Sequence, residues 1–278
     1  MTHPNPISES LRTRSALMER VLDDCRNLIR NALSREPDVR HKGNIDLVTS
    51  TDLAVEKCIT DQILSNFSQD DILAEESGDR QKHSDYRWII DPIDGTTNFS
   101  NRLPHFCISV GLQYRGECVL AYVDDPCKDM RFRAFRGAGA SLNGRLISVS
   151  GTHSLSDALL ATGFSYDRQT RLDNNVAEFD HLLRRCRGIR RMGAAALDFA
   201  YVAAGWLDGY WEYRLHPWDV AAGVLLVEEA GGTVTRLDGT HYTVTDQHFC
   251  ATNGHLHNAL VQAVRDAPRV IQPSERSP

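Results

Sequence analysis

The residues in this chain best suited to chemistry are the two acids within Trp88-Ile89-Ile90-Asp91-Pro92-Ile93-Asp94-Gly95-Thr96-Thr97-Asn98-Phe99. The apolar run at 88–90 is what a buried strand uses, and it gives way to a carboxylate at the next residue. Pro92 fixes its own φ and keeps Asp91 out of the helical region, so the strand is predicted to end here in a tight turn. Gly95 admits a backbone shape that a side chain blocks. Two carboxylates at the end of a buried strand repel each other unless a cation lies between them. Mg²⁺ suits such oxygens, since it commonly takes one or two carboxylates together with substrate phosphate. Thr96, Thr97 and Asn98 add hydroxyl, amide and backbone N–H groups where a helix can begin, a natural seat for an anion. Each of these residues is also ordinary turn material, so a capped turn is the plain alternative. An apolar strand running straight into two acids favours the ligand reading.

Two more acids stand in comparable positions. The strand-like Ile72-Leu73-Ala74 ends in Glu75-Glu76, and the residues alone do not choose between the two glutamates. Further on, His216-Pro217-Trp218-Asp219 leads into a nearly all small or apolar helix from Ala221 to Val227. A helix of that composition is buried, which puts Asp219 at the edge of the core rather than on the surface. A simple helix cap is the alternative for Asp219. No Ser-His-Asp or Cys-His arrangement that would make a covalent intermediate is visible.

The stretch 88–99 closely resembles the first signature of the inositol monophosphatase family of metal-dependent sugar phosphatases, and 216–232 resembles its second signature, in the correct order. A haloacid-dehalogenase-type phosphatase fits less well, because its partner acid lies two residues on, not three. Lys42 with Asp46-Leu47-Val48-Thr49 and Asp52, the turn Gly193-Ala194-Ala195, and Glu212 are similar to further family elements. The resemblance runs from Leu11 to His257. It implies two Mg²⁺ ions held by Glu75, Asp91, Asp94, Asp219 and the carbonyl of Ile93, with Asp91 bridging and a third, weaker ion as an option. Glu75 with Thr96 would orient and deprotonate a metal-bound water. Asp52, which on its own reads as a helix cap, would lie beside the catalytic threonine and support a further metal. The N–H groups of Gly95 and Thr96 would neutralise the phosphate. Asp94, Gly193, Ala194, Ala195, Glu212 and Asp219 would meet the substrate, with Ala194 lacking the hydroxyl that some relatives carry.

The implied reaction is lithium-sensitive hydrolysis of a phosphate monoester without a covalent intermediate, on myo-inositol-1-phosphate or a similar sugar or polyol monophosphate. The implied assembly is a homodimer. Histidinol phosphate, 3′-phosphoadenosine phosphate and fructose bisphosphate are the alternatives on the same fold. Arg190-Arg191 is the only basic pair near these elements, which favours a monophosphate. Some bacterial members contact the transcription machinery, so a regulatory binding protein is the reading from another class.

The elements that must position these residues follow the hydrophobic pattern. A first helix capped by Ser8 or Ser10 runs to about Leu33, and a second runs from Asp52 to Phe67. After a charged connection at 79–86 and the central stretch, strands at 106–113, 117–123 and 130–135 suggest an antiparallel meander, with Asn143-Gly144 as a hairpin turn. From 156 on, strands at 158–162, near 190, 209–213, 233–237 and 249–252 alternate with helices at 174–187, 194–204, 220–229 and 256–265. The pattern is α+β, and the resemblance implies the layered α-β-α-β-α sandwich of the sugar phosphatases. Its sheet-rich half, 1–155, would carry most metal ligands. Its alternating half, 156–278, would carry Asp219 and the substrate contacts, with the site between the halves.

The 278 residues are 41% hydrophobic and 24% charged, as in soluble globular proteins, and the net charge of −6 gives no overall basic field for nucleic acid. No apolar run approaches the ~20 residues of a membrane span. The polar N-terminus lacks a signal-peptide core, so a cytoplasmic location is expected. The seven cysteines form no C-x-x-C and read as free thiols rather than disulfides or a zinc site.

Overall fold

The computed structural model describes residues 8–34, 39–41, 47–171 and 173–268, with the backbone alone at 39–41, 47 and 48. Lys42, Asp46 and the two chain ends, for which the sequence carries expectations, lie outside these residues. The first part of the chain comprises α1 (Glu9–Leu33), β1 (Val39–His41), β2 (Leu47–Thr49), α2 (Ser50–Asn66), β3 (Asp71–Ala74), β4 (Gly78–Arg80), β5 (Tyr86–Asp94), α3 (Thr96–Ser100), β6 (Cys107–Tyr114), β7 (Glu117–Asp125), β8 (Met130–Phe135), β9 (Gly139–Leu142) and β10 (Arg145–Leu146). A 3₁₀ turn at Leu155–Asp157 leads into β11 (Leu159–Thr162), α4 (Val176–Leu183), β12 (Gly188–Arg190), α5 (Ala195–Ala203), β13 (Gly209–Tyr213), α6 (Pro217–Glu229), β14 (Thr233–Arg236), β15 (His248–Thr252) and α7 (His257–Arg265).

These elements stack in the expected α-β-α-β-α order. An eight-stranded sheet, β10-β9-β8-β7-β6-β5-β3-β4, is antiparallel except where β3 pairs with β5. A five-stranded sheet, β12-β11-β13-β15-β14, is parallel across its first three strands. α1 and α2 cover the outer face of the larger sheet, burying Met18, Leu22 and Ile59 against Trp88 and Ile90. α5 and α6 fill the space between the sheets, where Phe199, Leu225 and Leu226 meet Val123 on one side and Tyr210 and Phe249 on the other. α4 and α7 close the far face of the smaller sheet. The small residues of α5 and α6 let the layers approach closely. A Cβ on Gly111 of β6 would come within 2.9 Å of Ala221 Cβ on α6, and one on Gly223 of α6 within 2.5 Å of Phe199 Cβ on α5.

Several element ends differ from the sequence expectation, each for an identifiable reason. β5 does not end at Asp91. It continues through Pro92 to Asp94, with three residues on β5 spanning what two span on β6, so that Asp91 pairs with Ser109 and Asp94 with Cys107. A bulge removes the need for the ladder N–H that proline lacks. The turn comes one residue later, at Gly95 with φ +96°. α2 is capped by Thr49, not Asp52, and Asp52 is the third helical residue of a reciprocal capping box. α6 begins at Pro217 rather than 220, because proline is favoured in a first helical turn and Asp219 accepts from the His216 N–H. α4 is shorter than expected, since Asn175 takes a left-handed conformation and spends its side chain on Thr162, Gly163 and Trp211. The charged connection at 79–86 is partly strand, with β4 pairing on the edge of β3, where charged residues are well tolerated.

Replacing Gly223 by alanine tests the tightness of the central layer. Alanine is the better helix former by about 1 kcal/mol, yet its methyl would collide with the backbone-anchored Cβ of Phe199. The expected net effect is a loss of about 1–3 kcal/mol, read as a lower denaturation midpoint in urea with an unchanged slope.

Candidate active site

The candidate acids come from distant parts of the chain, and the backbone explains why they meet. Ala74 of β3 pairs with Ile90 of β5 in parallel register, so the next residues on each strand, Glu75 and Asp91, emerge side by side. The Glu75 N–H also donates to the Ile90 carbonyl at 3.1 Å. Across the sheet, Ser109 pairs with Asp91 and donates its hydroxyl to the Trp218 carbonyl at 3.1 Å, which brings the first turn of α6 against the same strand end. Asp219 is in that turn. One carboxylate oxygen each from Asp91, Asp94 and Asp219 lies within 4.8 Å of the others. Glu75 is outside that tight trio but lines the same cavity, together with Ile93, Gly95, Thr96, Gly193, Ala194, Ala195 and Glu212. The cavity has a volume of about 490 Å³ and opens between the two sheets.

Each acid has a distinct set of partners. Asp94 caps α5 from outside, its two oxygens accepting the Ala195 N–H at 3.1 Å and the Ala196 N–H at 2.7 Å. These are orphan donors of a helix N-terminus, and they meet the positive end of its dipole. Ala194, whose side chain offers no cap, leaves that task to Asp94. Asp219 Oδ2 accepts the His216 N–H at 2.6 Å. Asp91 is 3% exposed, and its Oδ1 has no hydrogen-bond partner among the described residues. Thr96 Oγ1 lies 3.3 Å from Asp52 Oδ1 and 3.1 Å from the Ile93 carbonyl. Its single proton therefore goes to one of them, which leaves oxygen lone pairs for another donor.

The electrostatics follow from this crowding. Burial, then the charges of Glu75, Asp94, Asp219 and Asp52, push the Asp91 carboxyl well above its usual range. Burial and the charge of Asp94 do the same to Asp219 against the pull of the His216 N–H. Asp94 is raised by burial to about 6, held there by the opposing α5 amides and the Cys107 thiol. Glu212 is raised by burial to about 7, opposed by the hydrogen bond from Tyr210 and the charge of Arg191. A cluster of buried acids with one orphaned oxygen, offering only hard oxygen donors, fits a magnesium-type divalent cation.

Several contributors carry no clear signal in the sequence. Asn98 is buried and donates its amide to the His105 carbonyl at 2.7 Å and the Met192 carbonyl at 2.8 Å, clasping the Gly193 turn to α3. Sequence reasoning offers Asn98 only as a helix-start residue. Tyr210 donates its hydroxyl to Glu212 Oε2 at 2.6 Å, and that carboxylate lies over Gly163, where a Cβ would be 2.0 Å from Oε2. Arg191 and Arg214 both line the cavity, Arg214 in an ion pair of 3.2 Å with Asp167. Arg214 lies outside the basic pair that the sequence singles out. Asp198, in the first turn of α5, is buried with an oxygen that lacks a partner among the described residues.

Comparison with known proteins shows which chains this one is similar to. The pattern defining the "Inositol monophosphatase family" matches residues 11–269. The chain is 44% identical over 232 residues to "Nus factor SuhB" of Pseudomonas aeruginosa, covering 82% of this chain and 86% of that one. The solved structure of an inositol monophosphatase from Anabaena (Nostoc) superposes with a TM-score of 0.86 at 42% identity, covering 94% of this chain and 98% of that one. A structure described as an IMPase/NADP phosphatase complexed with Mg²⁺ and phosphate superposes with a TM-score of 0.84 at 25% identity, over 95% of this chain and 100% of that one.

The raised acids set a pH dependence for the metal-free protein. Near neutral pH the folded state holds protons on these groups that the unfolded chain has already released, so stability falls as pH rises through about 6 to 7. Melting of the metal-free protein is expected at a higher temperature near pH 6 than near pH 8. Millimolar Mg²⁺ should raise the melting temperature more at the higher pH, because protons and cations compete for the same oxygens.

Proposed function

The chain belongs to the inositol monophosphatase family, and from that premise we propose that it hydrolyses a sugar or polyol monophosphate, such as myo-inositol-1-phosphate, with Mg²⁺ as its cofactor. The observation that carries this reading is the trio Asp91, Asp94 and Asp219 around the unpartnered Asp91 oxygen. With Glu75 and the Ile93 carbonyl, these residues, Asp91 among them, would hold the two ions. Bound there, the metal lowers the pKa of a water and neutralises phosphate charge.

The chain's own residues supply the remainder. Glu75, at the edge of the trio, is the base that takes the water's proton, and the Thr96 hydroxyl orients that water. Asp52 fixes the hydroxyl in turn, being held itself by the Thr49 N–H at 2.9 Å. The N–H groups of Gly95 and Thr96 face the phosphate. Glu212, with one oxygen occupied by Tyr210, has the other to accept a substrate hydroxyl. The Gly193–Ala195 turn forms the adjoining wall. Arg214 is engaged by Asp167, which leaves Arg191 as the other cation lining the cavity and supports a substrate with one phosphate rather than two.

The relation to a Nus factor favours a second role as a binding partner of the transcription machinery, compatible with the intact acids. Co-purification of RNA polymerase with the tagged protein would support it.

The enzyme reading is tested by assaying a panel of phosphate esters with and without Mg²⁺ and lithium. Polyol monophosphates should be cleaved faster than bisphosphates, and lithium should inhibit. Asp219→Asn should fold normally yet lower kcat/KM by about 10²–10³-fold, because charge neutralisation at the transition state is lost. Full activity in that folded variant would refute the assignment.

A further inference from the structure

One helix touches the candidate site at two points a turn apart. At its start, Asp52 Oδ1 reaches the Thr96 hydroxyl. Four residues on, Glu56 is 3% exposed, and its two oxygens accept the N–H groups of Glu76 and Ser77, each at 2.8 Å. These N–H groups belong to the loop 75–77 that joins β3 to β4, and the first residue of that loop is Glu75. The Glu75 N–H is tied to Ile90 on β5. All three amides of the loop are therefore anchored, one to the sheet and two to α2. A buried carboxylate is costly to desolvate, and Glu56 has no ion-pair partner among the described residues. Two charge-assisted hydrogen bonds offset that cost and fix the loop backbone in one position.

We infer that Glu56 is a positioning residue for Glu75. It holds the 75–77 loop so that the Glu75 carboxylate stays beside Asp91. Since Asp52 and Glu56 are i and i+4 on the same helix, their side chains start about 5–6 Å apart on one face. α2 thereby sets the distance between the Thr96 hydroxyl and the Glu75 carboxylate, the two groups that would handle the attacking water. This role rests on the proposed assignment of Glu75 as a metal ligand and base.

Glu56→Gln is the informative variant. It keeps the shape and one acceptor but turns an NH₂ group toward a backbone N–H. In the metal-free full chain, amide exchange at Glu76 and Ser77 should quicken by about 10-fold or more, while the rest of α2 keeps its protection. Mg²⁺ affinity by calorimetry should fall by about 10–100-fold, with kcat reduced and KM at saturating Mg²⁺ within about twofold of the parent value. Glu56→Asp, which keeps the charge on a shorter arm, should recover part of the affinity. Ile59→Val, buried on the same helix, should lower the melting temperature without moving the Mg²⁺ titration. Parental Mg²⁺ affinity in folded Glu56→Gln, or a change no larger than that of Ile59→Val, overturns the positioning role alone. Absence of Mg²⁺ binding in the unsubstituted protein overturns the reading of the whole site, and this role with it.

Discussion

The structure is built around carboxylates forced closer together than their charges allow. Asp91, Asp94 and Asp219 converge in a mostly buried corner, and among the described residues no Lys or Arg forms an ion pair with any of them. In a low-dielectric setting such a group is stable only if protons, hydrogen-bond donors or cations relieve it. The fold supplies donors unevenly. Asp94 receives two helix amides, Asp219 receives one N–H, and Asp91 Oδ1 receives none. The deficit is therefore greatest at Asp91, where a cation would be most effective.

That closeness is not left to flexible loops. Parallel pairing of β3 with β5 fixes Glu75 against Asp91, a bulge shifts Asp94 round the strand end, and Gly111 lets α6 lie directly on the sheet so that Asp219 arrives at the same corner. Each device is part of regular secondary structure packed in one of the main cores. Strain at a functional site persists when the surrounding structure over-determines it. Here the packing of five layers holds the acids in place, and the repulsion is the cost of a preformed site.

Much of this was legible in the sequence, and the reasons it stopped where it did are physical. Most strands and helices follow from hydrophobic period, the layer order follows from the family resemblance, and the acids at two strand ends and one helix start stand out because carboxylates are rare beside apolar runs. The bulge at Pro92 did not stand out, since a proline after a strand reads equally well as a terminator, and only the ladder with β6 decides it. The supporting residues were hidden for a different reason. Glu56 and Arg214, and Asn98 through Met192, act through tertiary partners 20 or more residues away, and nothing in their local spacing separates them from a solvated helix face, a turn or a loop. Of Glu75 and Glu76, between which the residues alone do not choose, Glu75 is the one that follows Ala74 beside Asp91 and lines the cavity.

The two ends of the cavity divide the work between the halves of the chain. The floor of acids comes from β5 and the residue that follows β3, with Asp219 as the one contribution from the second half. The walls that would meet an alcohol come from the second half: the Gly193 turn, Glu212 on β13, and the loops bearing Tyr166 and Arg214. The floor is set by sheet register and tolerates little change, because a one-residue slip would turn every side chain of β5 to the opposite face. The walls are set by side chains on loops and on the ends of elements, where substitution shifts local contacts without disturbing the core. A volume of about 490 Å³ has room for one small ester, and the proposed function would set its phosphate at the acidic floor and its alcohol toward Glu212. On the function proposed above, substrate preference would therefore drift through the walls while the acidic floor stays fixed, the acids setting the reaction and the second half setting what is brought to it.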